Sequence, residues 1–331
     1  QTDRGNPCPY DGRLFVHDFL SIALRPLVKD PYWEGLLAED TVRRITEARP
    51  SGTQRTHHEF AWDELSAALD EVWLALQARG EKDSPLDRDL AAFRAENAGW
   101  LELTSKNLDP ARHSFIQFVL HKQHHQLKSE FPDLHFYGDL QIGMGPVDAQ
   151  MFADLFHPDY AMGAPPSRTN PEGQPWGYAV FHPDKIDSGA AQEFLRTRVR
   201  RMLDNLDGIR VDHPHGLICP WVYRRNTPDS GEAVRAGARL YESPNLADHP
   251  ELAAFAIARP EQIDESQPRN AGERTTALDD AQVETYSRLF DVVIDVVREL
   301  GGDLLRHLVP HHHGVTLGVG FRHNSQEPAR P

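Results

Sequence analysis

Over 36–97 the apolar positions recur with the helical period: Ala, Leu, Glu and Arg dominate, and Phe60, Leu65, Leu69, Val72, Leu74 and Leu76 fall broadly on one stripe. A second helix is predicted from Ser114, as its N-cap, to about Ser129, with Phe115, Phe118, Val119 and Leu127 turned to the core. After a turn at Pro132, Leu134-His135-Phe136-Tyr137 reads as a strand ending in Gly138-Asp139. The stretch 143–187 is too polar and too often broken by Gly and Pro for a regular element, and a loop of that length in a compact domain is usually functional. Ser188 then caps a helix carrying Phe194, Leu195, Val199, Met202 and Leu206; Gly208 stops it, and 209–212 follows as a strand. A last helix covers about Asp280–Leu300, with Val283, Tyr286, Phe290, Val293 and Val297 on one face. This alternation predicts a parallel sheet, and carboxylates at strand ends suit a (β/α) barrel. Residues 28–110 are then a helical insertion, 222–278 an irregular one, and 303–331 a divergent tail.

Two segments carry candidate chemistry. Gly208-Ile209-Arg210-Val211-Asp212-His213-Pro214-His215-Gly216 delivers an arginine, an aspartate and a histidine to a strand end. A fixed guanidinium keeps a nearby carboxylate ionised, and a positioned, ionised Asp is what a sugar-cleaving enzyme uses as a nucleophile. A plain strand-end ion pair fits the same residues. The segment Met162–Tyr178 sets Trp176 beside Gln174 and Arg168 on a Pro- and Gly-stiffened loop. Aromatic faces and planar polar groups recognise sugars; a rigid surface loop plugged by a core Trp is the other reading.

Composition narrows the partners. The 331 residues carry a formal net charge of −15, which argues against nucleic acid and anionic membranes and is easily reconciled with a neutral substrate. No apolar run approaches the roughly 18–20 residues that span a bilayer. Cys8 and Cys219 are the two cysteines, so no disulfide framework is implied and a reducing cytoplasm is the default. The opening Gln1-Thr2-Asp3-Arg4 has no Met and no signal peptide, and suggests a start internal to a longer product.

Taken together, these segments resemble the 4-α-glucanotransferases, the amylomaltase or disproportionating-enzyme family (glycoside hydrolase family 77). The residues that carry the resemblance are Gly138-Asp139-Leu140-Gln141-Ile142 with Asp148 downstream, and Pro165-Pro166 with Gly173-Gln174-Pro175-Trp176-Gly177. They continue in Arg210-Val211-Asp212-His213-Pro214-His215-Gly216, preceded by a helix with Phe115-x-Gln117 and Gln123. Pro9-Tyr10 falls in register with the family's substrate-contacting tyrosine loop. The resemblance implies an α/β fold, a TIM-type (β/α)8 barrel of the α-glucan enzyme kind, incomplete at its ends and interrupted by helical insertions. It implies retaining transfer of α-1,4-glucan segments between maltooligosaccharides without an organic cofactor; a monomer or weak homodimer with no metal is expected beside it. Asp212 would be the nucleophile and Arg210 its holder. Tyr10, Asp148, Trp176, His213 and Gln174 would contact sugar.

The family's acid/base Glu and third Asp have no evident counterpart after Leu300, and Glu299 is the nearest candidate for the former. Ser167 stands where one branch of the family has Asp. Two other functions therefore stay open. One is a non-catalytic α-glucan-binding remnant. The other is a metal-dependent hydrolase using His121, His124 and His125, which share helical spacing, or His311–His313; a solvated helix face and a flexible tail are the plainer readings of these two groups.

Overall fold

The computed structural model describes residues 4–5, 15–52, 56–80, 82–106, 108–244, 246–272 and 274–306. The chain divides into two compact units. The first draws on Gln1–Pro158, Tyr178–His213 and Val292–Arg306; the second includes Asp159–Gly177 and Pro214–Asp291.

The first unit holds a parallel sheet of three strands: β1 (Tyr137–Leu140), β4 (Gly208–Val211) and β7 (Asp303–Arg306), in the order β1-β4-β7. Tyr137 is paired with Gly208 and Asp139 with Arg210, while Gly208 faces Asp303 on the other side. Helices Pro110–Glu130, Ala190–Leu203 and Asp280–Glu299 each precede one of these strands, as parallel connections require. Among the described residues the strands do not close into a barrel. The α/β character expected from the alternation is present, and among the described residues the unclosed sheet fits the incomplete barrel expected.

Helix Pro110–Glu130 is the organising element of this unit. Asp109 caps it by accepting from the Ala111 and Arg112 N–H groups, with Pro110 in the first turn. The cap therefore lies five residues before Ser114, which sits inside the helix and bonds the Ala111 carbonyl and Arg94. Phe115, Phe118 and Val119 are buried against Leu27, Trp33, Leu69, Leu86 and Phe93; Leu127, expected in the core, is exposed, as is Leu74. Gln117 accepts from the His17 N–H at 2.9 Å and donates to its carbonyl at 3.0 Å. Gln123 clamps Ala23 in the same way, at 2.9 Å each. Two amides six residues apart on one helix thus hold two backbone positions six residues apart on the facing segment.

Three other boundaries move. The first strand begins at Tyr137 rather than Leu134, and Gly138 sits inside it because a Cβ there would run into Leu206 and Met202. Helix Ala190–Leu203 follows Gly189, while Ser188 ends the short helix Pro183–Asp187. Leu203 is the last helical residue, so Gly208 opens β4 instead of stopping the helix. The stretch 143–187 is largely ordered: it contains helix Pro146–Met151, β2 (Phe156–Ala164) and β3 (Gln174–Phe181). Pro158, Asp159, Gly163, Pro175 and Gly177 break the alternation that would have betrayed the two strands.

A four-stranded sheet has the order β3-β2-β5-β6, where β5 is Trp221–Arg224 and β6 is Ala238–Arg239. In the second unit, β5 runs antiparallel to both β2 and β6. The rest of this unit is knitted by polar side chains. Gln262 and Gln282 exchange reciprocal amide bonds of 2.9 and 2.8 Å, and each donates to a further carbonyl, Ala277 and Ile257. Tyr160 is fully buried and its hydroxyl lies 2.7 Å from Glu251 and 2.9 Å from His249.

Candidate active site

The β1–β4 register decides the geometry at the sheet's exit. Asp139 stands directly across from Arg210, and Asp212 follows the last residue of β4. The Asp212 N–H donates to the Leu140 carbonyl at 3.3 Å, which extends the ladder by one bond. The Arg210 guanidinium donates from one terminal nitrogen to Asp139 Oδ1 at 2.6 Å and from the other to Asp212 Oδ1 at 2.7 Å. The Asp139 hydrogen bond is the largest reason why Arg210 holds its proton more tightly than usual. His213 places Nδ1 3.1 Å from Asp212 Oδ2, and does so from a left-handed backbone with φ of +50°. That region is costly for a residue with a Cβ and turns up at functional positions. Asp212 therefore has one oxygen held by Arg210 and the other facing an imidazole.

Asp148 lies in the first turn of helix Pro146–Met151 and is buried. Its charge acts on Arg198, which is fully enclosed and whose guanidinium burial pushes down to about 10. Tyr10 lies outside the described residues. In the second unit, the Trp176 indole N–H donates to Gln174 Oε1 at 3.1 Å, and the Gly177 N–H donates to the Tyr223 hydroxyl at 2.8 Å. The loop between β2 and β3 is stiff: Ser167 and Asn170 bond each other's backbone, the Asn270 amide donates to the Pro166 carbonyl at 2.6 Å, and Arg235 meets Glu172.

Glu299 is in the wrong place for an acid/base. It ends the helix that feeds the start of β7, where it pairs with Arg200 at 2.7 Å, whereas Asp212 follows the end of β4. Since β4 and β7 are parallel and Gly208 faces Asp303, four strand residues separate the two levels, roughly 13 Å at the usual rise.

The helix histidines are not a plain solvated face. Among the described residues no group of three His, Cys, Asp or Glu side chains is placed to hold a metal ion. His121 lies tilted against Phe93 and edge-on to His125, and His124 stacks on His17. Burial lowers all four, to about 3 for His17 and about 4 for His121. His311–His313 lie outside the described residues.

Sequence reasoning missed two residues. Asp139 was in view only as part of a Gly-Asp pair; its link to Arg210 depends on a strand register between residues 71 positions apart. Arg198 gives no sequence signal, being one of several arginines on its helix.

An α/β unit whose parallel strands present an arginine-held carboxylate at their exit has the architecture on which α/β enzymes carry their sites. The family profile described as 4-alpha-glucanotransferase, glycoside hydrolase family 77, matches residues 104–295, and the chain belongs to that family. Against the 4-alpha-glucanotransferase of Mycobacterium tuberculosis (strain ATCC 25618 / H37Rv) it is 28% identical over 148 residues, 42% of this chain and 20% of the relative. Against 4-alpha-glucanotransferase DPE2 of Oryza sativa subsp. japonica it is 28% identical over 113 residues, 33% of this chain and 12% of the relative. These matches span a fifth or less of the curated relatives. Among solved structures, the amylomaltase from Streptococcus agalactiae in complex with acarbose superposes with a TM-score of 0.62 at 15% identity, over 94% of this chain and 60% of that one. The Corynebacterium glutamicum amylomaltase gives 0.54 at 17% identity, over 82% and 46%. Both show likeness of fold.

Proposed function

We propose that this chain acts on α-1,4-glucans, with Asp212 as the carboxylate that attacks the anomeric carbon. The observation that carries the reading is the Arg210–Asp212 hydrogen bond at the exit of a parallel sheet in a chain of this family. In the first step an Asp212 oxygen bonds C1 as the C1–O bond to the leaving sugar breaks, and the leaving oxygen takes up a proton from solvent. In the second, the 4-hydroxyl of an acceptor glucan attacks C1, loses its proton to solvent, and the C1–O bond to Asp212 breaks to free the carboxylate. Arg210 holds Asp212 in place and aimed. His213 reaches a sugar hydroxyl beside the cleaved bond, and Tyr10 and Asp148 contact the ring. Trp176 and Gln174 supply an apolar face and an amide, as the family motif suggests. The acarbose named with the Streptococcus agalactiae amylomaltase supports maltooligosaccharide-type ligands.

The position of Glu299 favours a second reading, in which the chain binds glucan without turning it over. Incubation with maltotriose separates the two. Glucose together with longer oligosaccharides, abolished by Asp212→Asn, supports transfer. Saturable maltotriose binding without products supports the binding reading, since loss of general acid help costs about 10²–10⁴-fold. Neither binding nor products would refute both.

A further inference from the structure

We propose that Asp139 is a positioning residue for Asp212: it occupies one arm of the Arg210 guanidinium, so that Asp212 receives one Arg210 arm and not two, and the Asp139–Arg210–Asp212 group keeps one net negative charge. The proposal rests on the reading of Asp212 as the nucleophile.

The geometry is that of a divided fork. A guanidinium beside one carboxylate turns both terminal N–H groups onto it in a bidentate pair. Here the two terminal nitrogens go to different carboxylates, at 2.6 and 2.7 Å, one on each of two adjacent strands. Asp139 is fixed across from Arg210 by the β1–β4 register, so the division is built into the sheet and not into a mobile loop. Its consequence for charge follows by counting. Two carboxylates and one guanidinium leave the group one net negative charge. Without Asp139 the group is neutral, and Arg210 is free to cover Asp212. A carboxylate covered in this way is a weaker nucleophile. A neutral group also does less for a sugar carbon that gains positive charge on the way to the transition state, where such charges count most.

A purely mechanical role, tying β1 to β4, is the competing account, and two measurements on the full chain separate them. The first needs no sugar. In NMR spectra of the Arg210 side chain, a guanidinium held at both ends rotates slowly about its Nε–Cζ bond and gives separate terminal N–H signals. Asp139→Asn, of nearly the same shape, should shift them as both arms turn onto Asp212, Asp139→Glu should restore them, and Arg210→Lys identifies them by their loss. The second reads the charge. Asp139→Asn should weaken binding of a cationic iminosugar about 10-fold while leaving neutral maltotriose within about twofold. If turnover is present, kcat should fall about 10- to 100-fold with KM nearly unchanged. Unchanged Arg210 signals in Asp139→Asn, or equal losses for cationic and neutral sugars, overturn the proposal and leave Asp139 as a strand tie. Should the unaltered chain bind neither sugar, the glucan reading fails, and the Arg210 signals still decide the role of Asp139. If Asp139→Asn does not fold, Asp139→Ser carries the same comparison.

Discussion

Asp148 and Arg198 show how one side chain can be claimed by two roles. Asp148 is buried and its negative charge acts on the enclosed Arg198 guanidinium, so neutralising it leaves that buried cation less compensated. Asp148→Asn should therefore lower the unfolding free energy, read from urea titrations. If stability holds and maltotriose binding falls, its role as a sugar contact dominates. Arg210 is a different case: it and Asp212 are half-buried beside the exposed Asp139, and Arg210→Lys should leave the thermal midpoint nearly unmoved. Lys has no planar fork with which to serve two carboxylates, so glucan transfer, where present, should drop steeply in that variant, checked by initial rates with maltotriose.

Helix Pro110–Glu130 carries a pH dependence in its C-terminal half. His17, His121 and His124 face one another and the Arg201 charge; Lys122, Lys128 and Asp204 lie near His121 or His125. His17, with a folded value of about 3 against 6.5 unfolded, is the clearest case. The unfolded chain binds the proton first. Its contribution is therefore complete above pH 6.5 and is lost as pH falls toward 3, by at most about 1.4 kcal/mol per unit. Urea midpoints at pH 5 and 7.5 should differ accordingly, and His17→Gln should shrink that difference; an unchanged difference removes His17 from the account. These elements also mark what the sequence can disclose. Long helices and the Arg210–Asp212 strand end were legible because period and motif lie within a few residues of each other. The Gln117 and Gln123 clamps needed knowledge of a facing segment 100 positions away. Strands β2 and β3 stayed hidden because turn-type residues occupy positions inside them, Pro175 among them on an edge strand.

At the scale of the molecule, no described helix is long and apolar enough to cross a membrane. The metal-hydrolase alternative yields a direct forecast: chelation with EDTA should change neither the unfolding midpoint nor any glucan binding, and a shift in either would restore the histidines as ligands. Family membership was legible from four short motifs in order; the number of strands was not, because sheet closure depends on pairings that no local pattern encodes. One pairing outlasts the others in its consequences. The Tyr137 ring lies over Gly208, where a Cβ would strike it, and its hydroxyl reaches Asp303 at 2.7 Å. A single phenol thus spans β1, β4 and β7 at their entry, while Arg210 links β1 to β4 at their exit. The sheet behaves as a plank pegged at both ends: strands slide along one another only if a peg is drawn, and register, the quantity on which the Asp139–Arg210–Asp212 geometry depends, becomes a property that two side chains hold in common.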